Sequence, residues 1–188
     1  MERNEAIYED LCGILLTREQ IAEKVKEIGN KITEDYQGKE PVMICILKGA
    51  SVFFTDLIRE IALPLTTDFM SISSYGSSTK SSGVVRVLKD LDRNILDKDV
   101  IIVEDIVDSG TTLCYLKQML EGRGPKSLKI AALLDKPAGR RGNDLKVDYW
   151  CFNIPDEFVV GYGLDYDEKY RNLPDIGILD PRIYGAEK

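Results

Sequence analysis

Residues 100–113 constrain the fold more than any other stretch, because they join a strand pattern to a helix pattern through an acidic loop. Positions 100–103 hold four β-branched apolar residues, a run typical of a strand buried on both faces in a parallel sheet. Small hydroxylated residues surround Gly110, and an amphipathic helix pattern begins directly after them. A strand, a tight loop and a helix N-terminus in this order predict a phosphate-binding site, because free backbone amides and the helix dipole attract an anion.

The same loop is rich in acids, with Glu104, Asp105 and Asp108 close together. These carboxylates would repel a bare phosphate, so the ligand must also offer hydroxyl groups, a proton to abstract or a cation. A phosphorylated sugar meets this demand, with its phosphate on residues 109–112 and its vicinal hydroxyls on the carboxylates. A simpler interpretation is that the loop acids only cap the next helix. Capping accounts for Asp108 or Ser109, but not for two adjacent carboxylates at the end of a strand.

Alternating strand and helix patterns cover the rest of the chain. Further strands are predicted at 42–47, 65–73, 84–88, 128–134, 149–152 and 158–161, and an apolar patch or edge strand at 14–16. Helices are predicted from a capping box at 17–20 to about Gly38, and from about Phe53 to Pro64. The prediction is a single α/β domain over residues 1–188, with a mainly parallel twisted sheet flanked by helices. In such folds the ligand loops lie at the carboxyl ends of the strands.

Composition excludes several classes of function. A net charge of −7 argues against a nucleic-acid-binding surface, which is normally basic. Histidine is absent, so proton transfer falls to Asp, Glu, Lys or Tyr. No apolar run approaches the ~18 residues of a membrane span, and the N-terminus is unlike a signal peptide, so we expect a cytoplasmic protein. The cysteines are widely spaced in apolar contexts and are predicted to be reduced core residues: Cys12, Cys45, Cys114 and Cys151.

All thirteen positions of 100–112 resemble the phosphoribosyl-diphosphate (PRPP) signature of the phosphoribosyltransferases: an apolar run, two acids, two apolar residues and acid-small-Gly-x-Thr. Residues 47–49, 74–76 and 158–174 narrow the resemblance to the bacterial type of hypoxanthine-guanine phosphoribosyltransferase. The resemblance implies a type I phosphoribosyltransferase fold. It also implies a small hood subdomain, formed by N-terminal residues and about 136–188, and a mobile loop at about 73–84.

Members of this family are Mg²⁺-dependent pentosyltransferases of purine salvage. They transfer the phosphoribosyl group from PRPP to N9 of a 6-oxopurine, so the implied products are IMP or GMP and pyrophosphate. By resemblance, Asp108 is the proton acceptor near N7 of the purine. Glu104 and Asp105 face the ribose hydroxyls, directly or through metal-bound water. The implied 5′-phosphate site consists of Ser109, Gly110, Thr111 and Thr112.

The resemblance also assigns the remaining site residues. The implied base site has Lys136 donating to O6, Phe158 stacking on the purine, and Val159 and Asp165 near its edge. The implied pyrophosphate site consists of Lys48 and Gly49, for which a cis peptide is one geometry, together with Arg171. Closure over the pyrophosphate is implied for Ser74 and Tyr75, which would exclude water from the reaction. The implied Mg²⁺ ligands are Glu104, Asp105 and Asp165.

Some of these residues have simpler interpretations. Lys136 beside a proline is typical of a surface lysine, and Phe158 at the head of an apolar run is typical of a core residue. Asp165 and Arg171 would form an ordinary surface ion pair, worth under about 1 kcal/mol. The chain also departs from many relatives at Thr111, where they carry a lysine, so we expect phosphate affinity to be altered but not abolished.

Two other functions fit part of the pattern. A PRPP-sensing regulator would use the same fold without catalysis, but it would usually gain a basic face and lose the base-contacting residues. A phospho-acceptor receiver domain also places acids at strand ends, but it lacks the Gly-Thr-Thr loop. A P-loop kinase is excluded, because no Walker sequence occurs. The apolar patch near the N-terminus predicts a homodimer or homotetramer.

Overall fold

The computed structural model describes residues 7–74, 85–137 and 145–185, and its strands and helices alternate as the sequence predicts. The strands are β1 (Leu11–Leu16), β2 (Val42–Leu47), β3 (Thr66–Ser74), β4 (Val85–Lys89), β5 (Asp99–Val107), β6 (Ser127–Asp135), β7 (Tyr149–Asn153), β8 (Val159–Val160) and β9 (Ile176–Leu179). The helices are α1 (Arg18–Asp35), α2 (Ser51–Glu60) and α3 (Thr111–Glu121).

Six strands form one sheet in the order β4-β3-β2-β5-β6-β7. Neighbouring strands run parallel except β3 and β4, which are antiparallel. The other three strands form a small antiparallel sheet in the order β1-β9-β8, so β1 is the predicted edge strand. This arrangement confirms the predicted α/β class with a mainly parallel sheet, and it places β5 in the interior of that sheet.

The central strand β5 is covered on both faces, as its apolar run predicts. Ile101 and Val103 belong to a core that also contains the buried residues of α1 and α2. Val100 and Ile102 belong to a second core, which contains the buried face of α3. Because side chains alternate along a strand, these two sets lie on opposite faces of the sheet. The end of β5 is therefore held between packed layers.

Helix α1 begins with the predicted capping box. The Gln20 amide donates to Thr17 Oγ1 at 3.3 Å, and the Thr17 amide donates to Gln20 Oε1 at 2.9 Å. These bonds satisfy amides that have no partner within the helix. The apolar stripe of the helix is buried as predicted: Ile21, Val25, Ile28 and Ile32.

Some details differ from the sequence-based expectations. Cys12 is exposed on edge strand β1, whereas Cys45 and Cys151 are buried. Most of the mobile loop implied at about 73–84 lies outside the described residues. No helix within the described ranges is long and apolar enough to cross a membrane.

Candidate active site

Strand β5 extends past the predicted apolar run and includes the two adjacent carboxylates. Glu104 still pairs with Ala132 of β6, and the ladder continues to Val107. Glu104 and Asp105 therefore point in different directions, since neighbouring side chains alternate along a strand. The sequence analysis predicted that the strand ends before both acids, and this boundary is wrong, because β5 continues to Val107.

The two carboxylates line different cavities. Glu104 lines a cavity of about 150 Å³, here called the loop cavity, whose other lining residues are Ile106 and residues 107–113. Asp105 lines a cavity of about 260 Å³, here called the aromatic cavity. The other residues of the aromatic cavity are Ile106, Asp108, Lys136, Phe158, Val159, Leu164 and Asp165. Ile106 and Asp108 line both cavities, so Asp108 lies where the two meet.

The loop cavity ends at the N-terminus of α3. Gly110 is the N-cap residue and has φ of +73°, a conformation that glycine adopts readily. Gly110 has no side chain that could cap the helix, Asp108 forms no hydrogen bond with the first helix amides among the described residues, and the Thr111 amide lies 3.5 Å from Ser109 Oγ, which is a long contact. The interpretation that Asp108 serves only as a helix cap is therefore wrong. The first amides of α3 are available to an anion.

The electrostatic state of the acids reflects their burial. Burial raises the pKa of Glu104, and the charge of Asp105 raises that pKa further. Burial also raises the pKa of Asp105, although the Ile106 amide opposes this by donating to Asp105 Oδ1 at 2.8 Å. Two partly buried carboxylates on successive residues raise each other's cost of ionisation, which a cation or a hydrogen-bond donor near either of them would offset.

The loop after β2 lies directly against Asp105. The Leu47–Lys48 peptide is cis, which is the geometry considered for this point of the sequence. A side chain on Gly49 would overlap Asp105 Oδ2, and a side chain on Gly163 would overlap the Gly49 carbonyl oxygen. Glycine at both positions therefore allows this loop to approach the acidic end of β5.

Two cations of the predicted pyrophosphate site contact one carboxylate that the sequence prediction missed. Lys48 Nζ lies 2.8 Å from Glu168 Oε2, and Arg171 Nη2 lies 3.4 Å from Glu168 Oε1. Arg171 also pairs with Asp165 at 2.8 Å, and its Nη1 donates to the Gly163 carbonyl oxygen at 2.8 Å. The hydrogen bond from Lys48 lowers the pKa of Glu168. The only feature of the sequence that points to this role is the high density of charged residues in 164–174.

The predicted base-contacting residues all line the aromatic cavity. Lys136 is only 8% exposed, and its Nζ donates to the Glu157 carbonyl oxygen at 2.7 Å, so it is not a surface lysine. Phe158 is 39% exposed, so it is not a core residue. Val159 is buried beside it in β8. The cavity thus combines an ammonium group, an aromatic ring and carboxylates, which suits a flat polar heterocycle.

The remaining predicted residues are only partly placed. The backbone of Ser74 ends β3, where it pairs with Val85, and Tyr75 lies outside the described residues. The predicted metal ligands Glu104, Asp105 and Asp165 do not form a three-ligand cluster within the described part of the chain. Mg²⁺ is often held by one or two carboxylates together with substrate phosphates and water, so this donor set is compatible with a metal that arrives with its substrate.

An acidic strand end, a helix N-terminus and an aromatic cavity thus lie at one edge of a mainly parallel sheet, an arrangement that would suit a phosphorylated sugar and a heterocycle. The sequence matches the family described as the phosphoribosyl transferase domain over residues 13–167. The chain therefore belongs to the phosphoribosyl transferase family.

Relatives of the chain define a narrower group. It is 52% identical to a hypoxanthine-guanine phosphoribosyltransferase of Streptococcus thermophilus, over 95% of this chain and 98% of the relative. It is 53% identical to one of Mycobacterium tuberculosis, over 93% of this chain and 89% of the relative. The crystal structure of a hypoxanthine phosphoribosyltransferase from Staphylococcus aureus is similar with a TM-score of 0.93 and 50% identity, covering 97% of this chain and 99% of the other.

Proposed function

We propose that this protein transfers the 5-phosphoribosyl group from PRPP to N9 of hypoxanthine or guanine, giving IMP or GMP and pyrophosphate. The observation that carries the proposal is the junction of the two cavities at Asp108, with helix amides on one side and Lys136 and Phe158 on the other. A nucleotide has the same layout, because its sugar joins a phosphate to a base. Identity of about 50% to the named relatives over nearly their whole length supports the same activity.

The loop cavity is assigned to the 5′-phosphate. The amides at the start of α3 and the hydroxyl groups of Ser109, Thr111 and Thr112 supply the donors, and Gly110 lets the phosphate approach the backbone. Glu104 and Asp105 lie next to this anion site and are assigned to the ribose hydroxyls, which donate hydrogen bonds to carboxylates.

The aromatic cavity is assigned to the 6-oxopurine. Lys136 keeps two N–H donors beyond its bond to the Glu157 carbonyl oxygen, and one of them is assigned to the exocyclic O6. Adenine presents an amino donor at that position, so the ammonium group disfavours it. Phe158 stacks on the ring, and the backbone of Val159 and the Asp165 side chain meet its other edge.

In the reaction, N9 of the base forms a bond to C1′ of the ribose while the bond from C1′ to the pyrophosphate oxygen breaks. The electron pair of that bond leaves with the pyrophosphate, and Asp108 accepts the proton of the purine at N7. Lys48, the Gly49 backbone and Arg171 are assigned to the departing pyrophosphate. Ser74 and Tyr75 are assigned to the segment that covers the site and excludes water.

Mg²⁺ is proposed as the cofactor, with Glu104, Asp105 and Asp165 as its nearest acidic groups. The position of Glu104 and Asp105 at the end of β5, with Asp165 lining the same cavity as Asp105, supports this assignment. When bound, the metal would neutralise phosphate charge. Asp165 forms an ion pair with Arg171, so binding of Mg²⁺ by Asp165 would compete with this ion pair.

We further propose that the β1-β9-β8 sheet and its loops form the hood over the main sheet.

We also propose that the protein is a cytoplasmic homodimer or homotetramer. The exposed Ile14 side chain in β1 supports self-association. Sedimentation velocity at micromolar protein concentration tests the oligomeric state, and a monomer would contradict it.

An initial-rate assay with PRPP and Mg²⁺ tests the activity. The protein is expected to turn over hypoxanthine and guanine, with xanthine and adenine as the comparison bases. Turnover with adenine alone would contradict the role of Lys136. Binding of PRPP without turnover of any base would instead favour a PRPP-sensing regulator.

A further inference from the structure

Phe158 is the centre of a cluster of three aromatic rings. The Tyr184 ring stacks on it with a centroid distance of 4.9 Å and an interplanar angle of 26°. The Tyr166 ring meets it in an edge contact, at 5.7 Å and 86°. The two tyrosines also contact each other at 6.3 Å. Nothing in the sequence pattern pairs Phe158 with Tyr184, which lies 26 positions later in the chain.

The position of Tyr184 is fixed by the turn that follows β9. The Asp180 amide donates to the Asp10 carbonyl oxygen, and the Ile183 amide donates to the Asp180 carbonyl oxygen, both at 2.9 Å. The Arg182 guanidinium forms an ion pair with the Asp180 carboxylate. Tyr184 is partly buried against the small core that contains Val160. The hydrogen bonds therefore hold the turn in place, and the packing contacts hold the Tyr184 ring.

The stacked rings are arranged so that one face of Phe158 remains for a ligand. Phe158 lines the aromatic cavity, whereas neither Tyr166 nor Tyr184 does, although both lie in the described part of the chain. Tyr184 stacks on one face of the Phe158 ring and lies outside the cavity, so it does not occupy the space in which a purine would contact Phe158.

We propose that Tyr184 is a positioning residue for the purine base, acting through Phe158; this inference rests on the proposed function. In the bound state the base, Phe158 and Tyr184 form one continuous stack, with Tyr166 fixing the ring from its side. Phe158 is 39% exposed and lies just before a strand of only two residues. Regular secondary structure therefore does little to hold its ring in one orientation. Packing by the two tyrosines restricts the ring to the orientation in which it stacks on the base.

The test compares steady-state kinetics of Tyr184→Leu and Tyr184→Phe with those of the unaltered protein. Leucine keeps apolar bulk but removes the ring, so we expect the KM for hypoxanthine and guanine to rise about 2- to 12-fold, as for the loss of one aromatic contact. The KM for PRPP should stay within twofold, because the phosphate and pyrophosphate sites are elsewhere. Phenylalanine keeps the ring and should restore the KM for the base. Ile183→Ala, an exposed apolar residue in the same turn, is the matched control.

Each outcome has a distinct meaning. An unchanged base KM in Tyr184→Leu, or an equal rise in both KM values, would overturn the positioning role and indicate a purely structural one. A lower base KM would also overturn it, because Tyr184 would then compete with the purine for Phe158. If the unaltered protein turns over no base at all, the proposed function itself fails, which separates that failure from failure of this inference.

Discussion

Gly49 offers a sharp test of how closely the loop after β2 must approach Asp105. Its φ lies outside the left-handed region, so alanine at this position meets only a steric obstacle. The added Cβ would overlap Asp105 Oδ2 and would come within 2.7 Å of Asp105 Cγ. Either the loop moves away from β5, or the Asp105 side chain rotates away from its present position. Both responses disturb the assigned ribose and pyrophosphate contacts.

The magnitude of the Gly49→Ala effect follows from these two responses. Overpacking typically costs about 1–3 kcal/mol, which lowers Tm by about 2–12 °C for a protein of this size. Loss of one hydrogen bond to a charged group costs about 1.5–3 kcal/mol, so kcat/KM for PRPP should fall about 10- to 150-fold. Differential scanning calorimetry and initial-rate kinetics measure the two effects on one preparation.

Gly13→Ala is the matched control for this experiment. Gly13 lies in β1, and a Cβ there would meet no atom within 4 Å. We expect its Tm to stay within about 2 °C of the parent and its kcat/KM to be unchanged. If Gly49→Ala behaves like Gly13→Ala in both measurements, the close approach of the loop to Asp105 has no functional role, and the reasoning is refuted.

Three further variants test individual groups. Asp108→Asn should reduce kcat roughly 10²–10⁴-fold, the range for a general base, while PRPP binding measured by calorimetry is retained; an unchanged kcat would remove Asp108 from the mechanism. Glu104→Gln should raise the Tm of the ligand-free protein at pH 7. The pKa of Glu104 is higher in the folded protein than in the unfolded chain, so ionisation of this carboxyl group lowers the free energy of unfolding at neutral pH. This loss of stability disappears below the unfolded pKa of about 4.3, where the group is protonated in both states. The Tm difference between this variant and the parent should therefore vanish near pH 4, and a lower Tm at pH 7 would contradict the pKa direction. Glu168→Gln should lower the KM for PRPP by up to about 5-fold, because the carboxylate competes for Lys48 and Arg171. The neighbouring Asp167→Asn makes the same change of charge, and an equal effect there would point to overall charge instead.

The central strand shows what local pattern can and cannot predict. The apolar residues 100–103 predicted a strand covered on both faces, and the structure confirms it. The pattern ends at the first carboxylate, whereas the backbone ladder with β6 continues to Val107. Hydrogen bonding to a neighbouring strand does not depend on side-chain polarity, so hydrophobicity alone could not place the end of β5.

Roles that depend on contacts between distant positions of the chain could not be predicted from local sequence patterns. Glu168 contacts Lys48 across 120 positions, and Tyr184 contacts Phe158 across two strands and the segment between them. The exposure of Cys12 has the same origin, because it depends on β1 being an edge strand of the small sheet. By contrast, the capping box of α1 is formed within four residues, and the sequence predicted it correctly.

A crystal structure of the protein with bound GMP and Mg²⁺ tests the central claim most directly. We predict the 5′-phosphate at the first amides of α3, the ribose hydroxyls beside Glu104 and Asp105, and the guanine ring on Phe158 with its O6 next to Lys136. A phosphate bound elsewhere, or carboxylates turned away from the ribose, would contradict the assignment of the two cavities.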